Sequence, residues 1–81
     1  MNFGDVMSAF EKAQTGNKLL EELVVNPASR QSYKRTYGVL REQILDIIAH
    51  WAVSNKIVGS PEDKEMAKNI IVEFNSKLRK T

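Results

Sequence analysis

Asp46, His50 and Ser54 recur every four residues, so on a helix they form one row. An acid, an imidazole and a hydroxyl are also the residue types of nucleophilic acyl transfer. That chemistry needs a nucleophile held by a base that is itself oriented by a third group. The helical wheel instead sets this row opposite the apolar face that runs from Tyr33 to Trp51, so Asp46 and His50 read as a solvated ion pair. His50 is the single histidine, and there is no cysteine to serve as a second kind of nucleophile. As metal ligands, Asp46 and His50 number two where zinc takes three or four. The adjacent carboxylates Glu21-Glu22 and Glu62-Asp63 diverge by about 100° on a helix and cannot share a substrate. Thr15-Gly16-Asn17-Lys18 lacks the spacing of a phosphate-binding loop. The sequence therefore names no catalytic residue, no metal site and no cofactor, and the expectation is a protein that binds rather than an enzyme.

One surface stands out as a place to bind. Between Glu22 and Glu42 the chain carries Arg30, Lys34, Arg35 and Arg41 with no acidic residue among them. On a 3.6-residue wheel Arg30, Lys34 and Arg41 fall within about 40° of one another, with Tyr37 beside them and Tyr33 next. This basic and aromatic stripe borders the apolar arc of Leu40, Ile44 and Trp51, and further along the helix Leu45, Ile48 and Ala52 take over its angular position. Three readings follow. The Arg and Lys stems cover the core edge while their charges reach water or pair with Glu11, Glu21 or Glu22. Alternatively the stripe meets an acidic helix or anionic patch on a protein partner, with Tyr and Arg as anchors. Or it contacts the phosphates of a nucleic acid or nucleotide, where Tyr stacks and Arg pairs with phosphate. Sequence-specific DNA reading by a helix-turn-helix is disfavoured, because the helix after the tight turn opens with Pro61-Glu62-Asp63 and its acidic start would repel phosphate.

The elements that carry these residues are helical. Residues 2–25 place Phe3, Val6, Met7, Phe10, Ala13, Leu20, Leu23 and Val24 at spacings of three and four, with a kink or break expected at Gly16. Asn26-Pro27 is a strong helix start, and from there to about Asn55 only Gly38 interrupts a helix-forming stretch with Tyr33, Tyr37, Leu40, Ile44, Ile47, Ile48 and Trp51 on one face. A continuous helix of that length would be roughly 40 Å long, more than its neighbours could cover. Ser60-Pro61-Glu62-Asp63 starts a third helix with the arc Met66, Ala67, Ile70, Ile71, Phe74 and Leu78 and a basic end at Lys77, Arg79 and Lys80. The short link Lys56 to Gly59 folds it back as an antiparallel hairpin. The expected architecture is all-α: a three-helix bundle, four if the first helix breaks at Gly16, whose long central helix pairs with the C-terminal one. Val39, Val53 and Val72 fall off the main faces and are expected at the surface.

Composition sets the frame. The 81 residues form one domain, 1–81, and a chain this short buries too little surface to be very stable without disulfides, which zero cysteines rule out. Self-association, a homodimer through the exposed part of the second helix, is one remedy. A net charge of +2 does not by itself demand an anionic partner. No apolar run reaches membrane-spanning length and the start MNFGDVMSAFEK lacks a signal peptide's basic and apolar regions, so a cytoplasmic protein without membrane insertion is expected. Capped amphipathic helices of this kind are common in small regulators, accessory proteins of bacteria and their viruses among them. The leading expectation is a small regulatory or adaptor protein that occupies a protein partner as an inhibitor or accessory factor. The alternative is an anion-binding module using Arg30, Tyr33, Lys34, Tyr37 and Arg41.

Overall fold

A computed structural model of the chain describes residues 18–79 together with positions 8 and 11. The break expected at Gly16 lies outside these residues. Among them all regular structure is helical, with α1 at Lys18–Val25, α2 at Pro27–Tyr37, α3 at Val39–Ser54 and α4 at Pro61–Arg79.

The helix starts form as their residues dictate. Asn26 lies in extended conformation and its side-chain oxygen accepts the Ala28 N–H at 3.0 Å, with Pro27 in the first turn. Ser60 Oγ accepts the Asp63 N–H at 3.1 Å, ahead of the acidic first turn of α4. At the end of α3, Asn55 takes the left-handed conformation at φ 58° and returns its N–H to the Trp51 carbonyl.

The long central helix does not form. Gly38 ends α2 and starts α3 with φ 99° and ψ 167°, a conformation essentially reserved for glycine. The sequence reading allowed one straight helix of roughly 40 Å, whereas the folded chain measures 31 Å along its longest axis. The bend lets α2 and α3 pack against each other, and both contact α1. Neither helix then leaves the long uncovered face that the straight form required.

The core draws on every described helix: Leu20 from α1, Tyr33 from α2, Ile44, Leu45, Ile48 and Trp51 from α3, and Ala67, Ile70, Ile71 and Phe74 from α4. Leu23, Ile47, Ala52, Ile57 and Met66 pack around it. Two assignments change with the bend. Leu45, which the wheel put at the angular position of the basic stripe, is buried, and Leu40, which it put in the apolar arc, is 58% exposed. A wheel assumes one unbroken axis, and past Gly38 the angular bookkeeping starts afresh. Val39, Val53 and Val72 are exposed, as expected. Trp51 is completely buried, and its indole N–H donates to the Val58 carbonyl at 2.9 Å, fastening the α3–α4 loop to the core. Among the described residues, Lys68 is a buried charged side chain, paired with Glu65 one turn away at 3.1 Å.

Candidate interaction surface at the Gly38 corner

The bend gathers the predicted residues into two sets. On one side, Arg30 of α2 reaches across to α3, donating from one guanidinium nitrogen to Asp46 Oδ1 at 2.8 Å and from another to Glu42 Oε1 at 2.6 Å and the Glu42 carbonyl at 3.2 Å. The Asp46 hydrogen bond leads the effects that raise the Arg30 pKa, against the opposing effect of burial. Asp46 is therefore spoken for by Arg30, and the row Asp46, His50, Ser54 does not act as a unit: His50 is exposed, and Ser54 Oγ donates to the His50 backbone carbonyl at 2.8 Å. A Ser–His–Asp relay would need that hydroxyl on the imidazole instead.

On the other side, Arg41 of α3 lies between α2 and α4. Its Nε donates to the Tyr33 hydroxyl at 3.2 Å and its terminal nitrogen to Glu73 Oε2 at 2.5 Å. The guanidinium carbon sits 5.0 Å from the Tyr37 ring centre and 6.0 Å from that of Tyr33. Tyr33 and Tyr37 are themselves 4.6 Å apart between centroids, and Tyr33 contacts Phe74 at 6.1 Å. Burial works against the Arg41 charge, but the hydrogen bonds to Glu73 and Tyr33 outweigh it and its pKa is raised. Burial also pushes the Tyr33 phenol above its ordinary value, with the Arg41 hydrogen bond opposing that rise. Lys77 completes the edge, 3.5 Å from Glu73 and 5.3 Å from the Phe74 ring.

Two of the five stripe residues are thus internal struts. The carboxylates that hold Arg30 and Arg41 come from α3 and α4, Glu42, Asp46 and Glu73, where the sequence pointed to the first helix. Tyr33 is buried. What remains facing outward is Lys34 and Tyr37, joined by Arg35, which makes no ion pair with any described residue, and by Val39 and Leu40 past the bend. Sequence reasoning missed Leu40, which the wheel assigns inward, whereas Val39 falls off the main faces and is expected at the surface. The signal that could have found Leu40 is Gly38, whose neighbours on both sides lie at a corner.

The pairing changes what Arg41 can report. Arg41→Glu would set a carboxylate against Glu73 and remove the donor to Tyr33, so it is expected to lower stability by about 1–2 kcal/mol. The double variant Arg41→Glu/Glu73→Arg should recover at least half of that loss in denaturant melts. Equal stability of the wild type and Arg41→Glu would show that the pair contributes nothing.

No group of three or more His, Asp or Glu among the described residues is placed to hold a metal ion, and no helix among them is long and apolar enough to cross a membrane. The fold and this corner define a small helical bundle with a mixed aromatic, apolar and cationic surface. Compared with known proteins, the chain matches no protein family, no curated protein and no solved structure.

Proposed function

We propose that this chain is a small, non-catalytic regulatory or adaptor protein of the cytoplasm that acts by occupying a protein partner. The observation that carries the reading is the Gly38 corner, where Tyr37, Val39 and Leu40, consecutive apart from the glycine, are 41%, 52% and 58% exposed. Single exposed apolar residues are ordinary on a protein surface, and three of them within four positions of one chain corner support a contact surface there. The aromatic ring of Tyr37 is held from behind by Tyr33 and Arg41, so it is presented with little freedom left to lose on binding. Occupying a partner in this way would inhibit it sterically or hold it in an assembly. A homodimer through this stretch is the self-associating form of the same reading. The pairing of Arg30 and Arg41 with carboxylates favours protein binding over the anion-binding alternative, since a phosphate would have to displace Glu42, Asp46 or Glu73 to reach either guanidinium.

Leu40→Asp tests it. The side chain is mostly in water, so the substitution should leave stability within about 0.5 kcal/mol. Recovery of a protein partner in nuclease-treated affinity capture from the native host should fall by about tenfold, the effect of losing one central apolar contact. Unchanged recovery would remove the corner from the binding surface. Partners lost after nuclease treatment would transfer the weight to nucleic acid.

A further inference from the structure

We infer that a second copy of this chain docks on the outward face of α3, the two helices running antiparallel about a two-fold axis with Asp46 of each opposite His50 of the other. This face is distinct from Tyr37 and Leu40, so the contact goes beyond the proposed function and leaves that surface open.

The face belongs to one unbroken helix. Val39, Gln43, Asp46, His50 and Val53 are all exposed, Val53 at 86%. On α3 they fall within about 80° of one another, in a sector centred opposite the buried Ile48. Leu40 stands about 100° round from Val39 and lies outside that sector. Their spacing of four, three, four and three residues is the heptad seam by which helices pair. The solvent side of a helix ordinarily carries charged and polar residues throughout, whereas this seam has an exposed valine at each end and its ionisable groups, Asp46 and His50, at the centre.

Charge decides the occupant. Arg30 bridges Glu42 and Asp46, so one guanidinium serves two carboxylates and the group keeps a net negative charge, with the Asp46 side chain 67% exposed. One turn further along α3, the exposed His50 can donate a hydrogen bond whether its imidazole is neutral or charged. An acceptor and a donor one turn apart make the seam complementary to its own inverted image. When Asp46 lies opposite His50 of the second copy, the two-fold axis generates the reciprocal pair, and Gln43 falls opposite Val53 at both ends. A parallel pair would instead set Asp46 against Asp46, like charges that oppose association. Polar residues within such a seam fix register and orientation at a cost in strength. Four layers spanning about 15 Å bury well short of the roughly 1,200 Å² of a stable interface. The association is therefore weak: the chain is monomeric at the dilution of gel filtration and pairs when concentrated.

The test is sedimentation equilibrium on the full-length chain between about 10 μM and about 1 mM. A reversible monomer–dimer equilibrium is expected. His50→Lys keeps a donor opposite Asp46 and should hold or raise the association constant. His50→Glu sets carboxylate against carboxylate and should lower it at least about tenfold. Circular dichroism melts of both variants in dilute solution should match the wild type, since the imidazole is exposed. Orientation is read by Gln43→Cys/Val53→Cys in a glutathione buffer, because the chain has no cysteine of its own. The two positions stand about 15 Å apart on one helix, too far to bridge within a chain. Peptide mapping should therefore find position 43 of one copy linked to position 53 of the other. A single monomeric species up to the highest concentration would overturn the pairing. So would a dimer that responds alike to His50→Lys and His50→Glu, or links that join position 43 to position 43. None of these outcomes alters what Leu40→Asp does to partner capture, so the proposed function stands or falls separately.

Discussion

Trp51→Ala is expected to leave little folded protein. The indole is completely buried among the core residues of α3 and α4, and its N–H holds the loop carbonyl of Val58 at 2.9 Å. Removing a buried tryptophan costs about 3–5 kcal/mol, because the surrounding helices close only part of the cavity. At about 0.05–0.15 kcal/mol per residue, a domain of this length holds roughly 4–12 kcal/mol in total, so the loss takes a quarter of the upper figure and all of the lower. Urea melts followed by circular dichroism should show a midpoint shifted far to lower denaturant, or no cooperative transition. Trp51→Phe keeps most of the packing and loses the donor, and should cost about 1–2 kcal/mol. A Trp51→Ala midpoint close to the wild type would mean that the indole is not the centre of the core.

The second large effect is expected at Gly38. Its φ of 99° and ψ of 167° are open to glycine and strained for any L-residue, while a Cβ added there would meet nothing within 4 Å. The cost of Gly38→Ala is therefore torsional, about 1–3 kcal/mol, with no steric clash added to it. Alanine also improves helix propensity at this position by about 1 kcal/mol, which favours running α2 and α3 together. A continuous helix is incompatible with the monomer's contacts. Arg30 would stand about 18 Å along the axis from Glu42 and about 24 Å from Asp46, beyond the reach of a guanidinium that now bonds both. The expected result is a lower melting temperature and, as concentration rises, a domain-swapped dimer in which the straightened helix carries α3 and α4 to a second copy. Light scattering after gel filtration reads the dimer directly. A chemically synthesised chain with D-alanine at position 38 is the decisive control, because a D-residue is at ease where φ is positive. It should match or exceed the wild type in stability and stay monomeric. If L- and D-alanine behave alike, backbone torsion is not what holds the bend.

The two predictions mark different depths of legibility. Trp51, Ile44 and Ile48 on α3, and Ala67, Ile70, Ile71 and Phe74 on α4, were readable as interior because each group sits within one unbroken helix, where a 3.6-residue period relates position to face. Asn26-Pro27 and Ser60-Pro61 marked real helix starts because capping is a matter between neighbours in sequence, needing no distant partner. Residues on either side of Gly38 were not readable in the same way. Leu40 exchanged a core position for the surface and Leu45 the reverse, since their faces depend on an angle that one glycine's torsions set.

The candidate site divides along the same line. By itself the sequence determined that the described residues are helical, where α2 and α4 start, which residues of α4 form its apolar face, and that an acid-free segment rich in Arg, Lys and Tyr lies in the middle. Tertiary structure alone decided which of those charges are available. Folding at Gly38 brings Arg30 to Glu42 and Asp46, and the return of α4 against α3 brings Arg41 to Glu73, partners 12, 16 and 32 residues away, which turns two candidate binding cations into struts. Lys34, Tyr37, Val39 and Leu40 remain facing water. Ion pairing falls off within a few ångströms and carries no periodic trace along the chain, so composition could announce a basic surface but only the bend could say which part of it is free.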